Sequence, residues 1–201
     1  MLKHITLKGY KSFRELDLEL APINVLIGGN GSGKSNFIGL FRLLQRMMNR
    51  ELQLYVAQSG GAEQMLHYGR RQTQQIEITL WYQQPEKLAN GYECKFTAAQ
   101  DQLLITYEAT YFHDQRHYPK PLQKQVHERP SEESHLPQWV KFGGVAAYVY
   151  AALKSYQVYH FHDTSEAARL KQMGDLHENQ RLLPDAGNLA AYLYLLQEKY
   201  P

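Results

Sequence analysis

Eight consecutive residues constrain this chain more than any others: Gly28-Gly29-Asn30-Gly31-Ser32-Gly33-Lys34-Ser35. They fit the spacing G-x-x-x-x-G-K-[ST]. An apolar run, Ile23-Asn24-Val25-Leu26-Ile27, comes directly before them. After them Phe37, Ile38, Phe41, Leu44 and Met48 recur at spacings of three and four. The first run predicts a short strand buried on both faces, and the second an amphipathic helix. Strand, glycine-rich loop and helix in that order describe a phosphate-binding P-loop. Its glycines let several backbone N–H groups turn inward on one anion. The helix presents its positive end to the same place. Lys34 adds a point charge for the β- and γ-phosphates, and the Ser35 hydroxyl is a ligand for Mg²⁺. Residues 28–35 are therefore read as the binding site of ATP with Mg²⁺.

The text before the loop reads as two strands. Ile5 and Leu7 alternate with polar residues, and Leu16, Leu18 and Leu20 alternate with Glu15, Asp17 and Glu19. Gly9 to Arg14 forms the turn between them. After a second short helical stretch, Gly60-Gly61 and Gly69 interrupt the pattern. Three strand signals follow. Ile76, Ile78, Leu80 and Tyr82 share one face, as do Tyr92, Cys94 and Phe96, and then Ile105, Tyr107, Ala109 and Tyr111. Their connections hold Pro85, Asn90-Gly91 and Gln100-Asp101-Gln102, which predicts an antiparallel meander. Residues 113–137 are polar and contain Pro119, Pro121, Pro130 and Pro137, and read as a surface loop within the domain. A small helix is expected over Gly143–Lys154, a strand over Tyr156–Phe161, and a final helix over Asp185–Lys199 with Leu189, Leu193 and Leu196 on one side.

Composition narrows the class. The chain has 201 residues, about one domain by the ~150-residue prior. At 43% hydrophobic and 21% charged residues it has the make-up of a globular chain rather than a disordered one. A single cysteine, Cys94, excludes an internal disulfide. The net charge of +2 is too small to argue for or against nucleic acid. No apolar run approaches the ~18 residues of a membrane helix, so a cytoplasmic protein with no membrane partner is expected.

The segment GYKSFRELDLEL followed by GGNGSGKSN resembles the opening of the ABC-type ATPase heads of RecF, SMC and OLD-like proteins. Later segments, Leu66 to Arg71, Tyr159 to Ser165 and Leu182 to Leu196, are similar to a bacterial group of AAA-type ATPases of RecF style. The resemblance implies an α/β P-loop NTPase lobe with a mixed sheet that includes the meander. It adds Asn36 to the nucleotide site. It adds also the turn Lys11-Ser12-Phe13-Arg14, where a cation reaches phosphate and an aromatic or guanidinium stacks on the base; the alternative is a solvated turn. It implies for Arg70 and Arg71 either an arginine loop touching DNA or phosphate, or ordinary surface charge. His162-Asp163-Thr164 stands where these heads place a Mg²⁺-sensing glutamine. Asp163 either replaces it as a Mg²⁺ ligand or caps the next helix. His160 and His162 are two same-side histidines without a third metal ligand. The tyrosines Tyr148, Tyr150, Tyr156, Tyr159, Tyr192 and Tyr194 read as packing residues.

These heads have two lobes, and the second carries the signature motif and the Walker B aspartate with its catalytic glutamate. No run of four apolar residues followed by Asp-Glu occurs here; the nearest, Leu103 to Glu108, alternates like a meander strand. The expectation is an N-terminal half of a head, covering residues 1–201, with the second lobe absent and no catalytic residue of its own. It would serve DNA repair or phage defence, meet DNA through a larger assembly, and self-associate through its C-terminal helix. A small P-loop enzyme such as a nucleotide kinase, and a non-catalytic interaction module, remain open beside it.

Overall fold

The computed structural model describes residues 1–159, 161 and 180–199. Two compact units divide the chain, Met1–Tyr156 and Gln157–Pro201.

In the first unit the N-terminal alternation becomes a hairpin, β1 (Leu2–Tyr10) and β2 (Phe13–Glu19). Ile5 pairs with Leu18 and Leu7 with Leu16, so the apolar positions of both strands share a face. The meander follows as β3 (Gln75–Gln83), β4 (Leu88–Ala99) and β5 (Gln102–Asp114). Among the described residues these strands and β6 (Leu122–His127) make one sheet in the order β2-β1-β3-β4-β5-β6. Every pairing in it is antiparallel.

Such a sheet can pack one face and leave the other to water. Leu7, Ile78 and Cys94 form one inward row, and Ile5, Leu80 and Tyr92 the next. Against them lie α1 (Lys34–Met48), α2 (Leu52–Gln58), α3 (Leu136–Trp139) and α4 (Gly144–Lys154). On the other face Glu15, Lys8, Glu77 and Lys95 sit in register across four strands and alternate in charge. The Lys8 ammonium is 2.9 Å from Glu15, and Lys95 is 3.6 Å from Glu77 and 3.3 Å from Glu93.

Four expectations need correction. The run Ile23–Ile27 is not a strand. It pairs with nothing in the sheet, and Ile23, Val25 and Ile27 are 83%, 77% and 91% exposed. A strand apolar on both faces needs a paired neighbour on each side and a covering layer on each face. The described residues place neither there. The sheet is therefore wholly antiparallel rather than mixed.

The third meander strand does not keep one face. The ladder runs Phe96 to Ile105 and then Lys95 to Tyr107, which leaves Thr106 as an extra residue. A bulge of this kind inverts the alternation beyond it. Leu103 and Ile105 point inward before it, whereas Glu108 and Thr110 do so after it. Tyr107 and Tyr111 instead face out and hydrogen-bond to each other at 2.7 Å. Glu108 is completely buried and accepts from Tyr92 Oη at 2.6 Å, Ser134 Oγ at 2.5 Å and the His135 amide at 2.7 Å.

The polar segment 113–137 is not all loop. It contains β6, an edge strand whose side chains are mostly exposed. Finally, residues 156–159 and 161 form no strand. Tyr156 ends the first unit with its hydroxyl 2.8 Å from that of Tyr82.

In the second unit, α5 spans Leu189–Lys199, four residues shorter at its start than expected. Residues 185–188 form a turn instead. Asp185 Oδ1 accepts the Gly187 amide, and the Asn188 side chain bonds the Leu183 amide and the Arg181 carbonyl. Such local bonds compete with the helix for the same backbone groups.

Candidate nucleotide site

Residues 28–35 follow the exposed run Ile23–Ile27 and end in α1. Gly31 has φ 81° and Gly33 φ 93°, both in the left-handed region where a side chain is strained. Gly33 has a second reason to lack a side chain. A Cβ there would lie 2.8 Å from Ser12 Oγ and 3.3 Å from the Phe13 ring. Gly33 is also the cap residue of α1, and its carbonyl accepts the Phe37 amide at 2.9 Å.

The Lys34 side chain folds back into the loop. Its ammonium donates to the carbonyls of Gly28 and Gly29, each at 2.7 Å, and lies 3.2 Å from Ser32 Oγ. The ammonium thus ties the start of this loop to the first residue of α1. Ser35 is exposed in the first turn of α1. Asn30 is exposed at the loop's crest.

The turn 11–14 lies against the end of this loop. Asn36 Nδ2 donates to Ser12 Oγ at 2.9 Å. Phe13 meets the Phe37 ring edge-on at 6.4 Å, so it packs on α1. Arg14 is exposed on β2. Lys11 is half-buried, and burial together with Arg42 pushes its ammonium below the usual lysine range.

A family model described as an AAA ATPase domain matches residues 1–179. The chain belongs to that family. An AAA ATPase domain implies nucleotide binding, typically with Mg²⁺, and residues 28–35 of this chain fit the spacing G-x-x-x-x-G-K-[ST]. Among curated proteins none matches the chain significantly.

Other candidates in the domain resolve differently. Arg70 is a structural residue. Its guanidinium is 2.9 Å from Glu63 and bonds the Gln100 carbonyl, while its amide donates to Glu63 at 2.8 Å. Arg71 is exposed. Ser59-Gly60-Gly61 closes the seven-residue helix α2, with both glycines near φ 91–92°. Asp163, His160, His162 and Thr164 lie outside the described residues. Among the described residues no group of three metal-binding side chains occurs, and no helix is long and apolar enough to cross a membrane.

Two features escaped the sequence reading. The burial of Glu108 depends on the Thr106 bulge, for which the sequence carries no signal. The loop 66–71 packs on the turn 11–14, a contact between segments more than 50 residues apart. The Tyr10–Leu66 bridge, the Lys11 amide to the Met65 carbonyl at 2.9 Å, and His67 Nδ1 to the Lys11 carbonyl at 2.8 Å hold it there.

Proposed function

We propose that this AAA ATPase domain is the ATP-binding half of a two-lobed head of the RecF and SMC type. The observation that carries this reading is the exposed run Ile23–Ile27. It leads straight into the phosphate loop, yet three of its large apolar side chains stand in water. Fully burying a side chain of this size contributes about 1.5–3 kcal/mol. A second lobe that adds strands beside this run would recover that free energy and steady the loop. Next to it, Leu20, Leu26, Phe37, Ile38 and Phe41 line an apolar cleft of about 380 Å³, which the same lobe would cover. By family resemblance the assembled head acts in DNA repair or phage defence.

Phosphoryl transfer also needs a group that positions water and further charge on the γ-phosphate. Lys34 and Ser35 provide neither water positioning nor a base. The chain alone is therefore expected to bind ATP-Mg²⁺ in calorimetry and to turn it over near the background rate. Lys34-dependent turnover on the order of 1 s⁻¹ or faster would overturn the half-head reading. Self-association through α5, where Leu193 and Tyr194 are exposed, belongs to the same proposal. Sedimentation should then give a dimer both with and without ATP-Mg²⁺; a monomer, or a dimer that forms only with ATP, would overturn this.

A further inference from the structure

Little besides its backbone holds β6 to the sheet. It is an edge strand of six residues, and its large apolar side chains, Leu122 and Val126, are 41% and 45% exposed. A strand with so few buried contacts is of the kind that opens locally while the core stays folded. Residues 131–136 follow it as a strap that leads into α3, and the strap is better tied. Ser131 and Ile105 exchange backbone bonds of 2.8 and 2.9 Å. The Glu133 carboxylate accepts the Leu52 and Gln53 amides at 3.1 and 3.4 Å, at the start of α2. Ser134 Oγ and the His135 amide donate to buried Glu108.

Strand and strap meet at two imidazoles. The His127 ring of β6 lies flat on the His135 ring, with 3.6 Å between centroids and 21° between planes. Uncharged, two such rings pack as other aromatic pairs do. With a proton on each, two positive charges would face each other across 3.6 Å, partly shielded from the water that screens exposed charges. His135 has a second reason to resist a proton. Its Nδ1 is buried and has no hydrogen-bond partner among the described residues. An imidazolium carries N–H on both nitrogens, so charging this ring leaves a charged donor without an acceptor unless the ring moves to water. Charged and titratable groups reach the pair from the elements packed on it. β5 supplies Glu108, opposite His127 in the ladder, and β4 supplies Tyr92, bonded to Glu108. The α1–α2 connection supplies Arg50, and the strap itself Glu133 with Glu132 beside it. Burial first, then His127 and more weakly Arg50, hold the His135 pKa below its ordinary value against the upward pull of Glu108.

We propose that the His127–His135 stack is an acid-opened latch. Uncharged, it fastens β6 to the strap. With a proton on each ring the rings part, and β6 leaves the sheet together with residues 131–136. The edge of β5, a strand of 13 residues, is then open to solvent. The rest of the sheet keeps its packing, because it is built on fully buried apolar side chains such as Ile5, Leu7, Ile78 and Leu80. This inference stands apart from the nucleotide-binding reading.

Hydrogen exchange read by mass spectrometry on the whole chain tests this at about pH 7.5 and about pH 5.5, on either side of the ordinary histidine value. Each rate is divided by the intrinsic rate at its own pH, so that only protection is compared. Every proton taken up on opening raises the open population by up to about tenfold per pH unit. Protection over residues 122–136 should therefore fall roughly tenfold or more in acid, while β3 keeps its own. His135→Phe retains a flat ring that takes no proton, and should hold its neutral protection at the lower pH. His127→Phe removes one of the two charges and should lose less protection than the parent. Should His135→Phe fail to fold, as β3 protection at the higher pH reveals, His135→Gln replaces it; if neither folds, the parent's segment-specific fall decides. An unchanged parent, or a fall shared equally by β3, overturns the latch. So does acid opening of His135→Phe or His127→Phe as large as the parent's, because the charged stack would then not be its cause.

Discussion

The side-chain amide of Asn36 donates to the hydroxyl of Ser12 at 2.9 Å. One bond thus ties the first turn of α1 to the hairpin turn between β1 and β2, next to the place where Gly33 has no room for a side chain. Residues 28–35 are held at their helical end, whereas the segment before them, Ile23–Ile27, is held by nothing in the sheet.

Lys34→Ala should remove most ATP binding and leave the fold intact. The ammonium contacts only loop carbonyls and a loop hydroxyl, not the core. Calorimetry reads the affinity and thermal unfolding reads the fold. Equal ATP affinity in mutant and parent would end the phosphate-loop assignment.

Gly33→Ala should destabilise the domain by roughly 1–2 kcal/mol for the left-handed backbone alone, with more from the crowding on Ser12. Ser12→Ala relieves no strain at Gly33 itself but removes the Asn36 bond, at a cost of about 1 kcal/mol. Urea titration distinguishes the two magnitudes.

Val25→Lys and Ile27→Lys should each change stability by less than about 0.5 kcal/mol, because both side chains are already exposed. Ile78→Ala, at a fully buried site in the sheet, should cost about 2–5 kcal/mol. Large losses at positions 25 and 27 would mean that the run is packed in solution.

Glu108→Ala would strand the Tyr92 hydroxyl, the Ser134 hydroxyl and the His135 amide in the interior. A loss of more than about 2 kcal/mol is expected, visible as a lower midpoint in denaturant. Glu108→Gln keeps an acceptor and should lose less.

Acid should weaken the region around His135. Burial first, then the charge of His127, whose ring stacks on it at 3.6 Å, push its pKa below the ordinary 6.5; Glu108 pulls the other way, and Arg50 adds a smaller push down. The folded state therefore binds the proton less readily than the unfolded chain does. Stability from this group is complete above about 6.5 and falls as pH drops below that value. His135→Gln should flatten this part of the stability–pH curve; an unchanged curve would assign the slope to other groups.

Much of the chain was legible because its information is local. The alternation in β1 to β4 set their faces, since side chains one residue apart must point to opposite sides of a sheet. Glycine spacing anticipated the left-handed backbone at Gly31 and Gly33, because a residue without a side chain adopts it at no steric cost. The periodic stripe of α1 predicted the helix, although Leu40, Leu43 and Met47 complete its buried face while Ile38 lies outside.

Tertiary structure decided what depends on neighbours distant in sequence. Ile23–Ile27 has the composition of a buried strand, but a strand exists only where other strands take its hydrogen bonds. One unpaired residue, Thr106, inverted the second half of β5 and carried Glu108 into the core. Tyr68 reads in sequence as one more tyrosine among 15. Only the packing of its loop on Lys11 leaves the ring in water, because that exposure is set by contacts spanning 56 residues rather than by the residue itself.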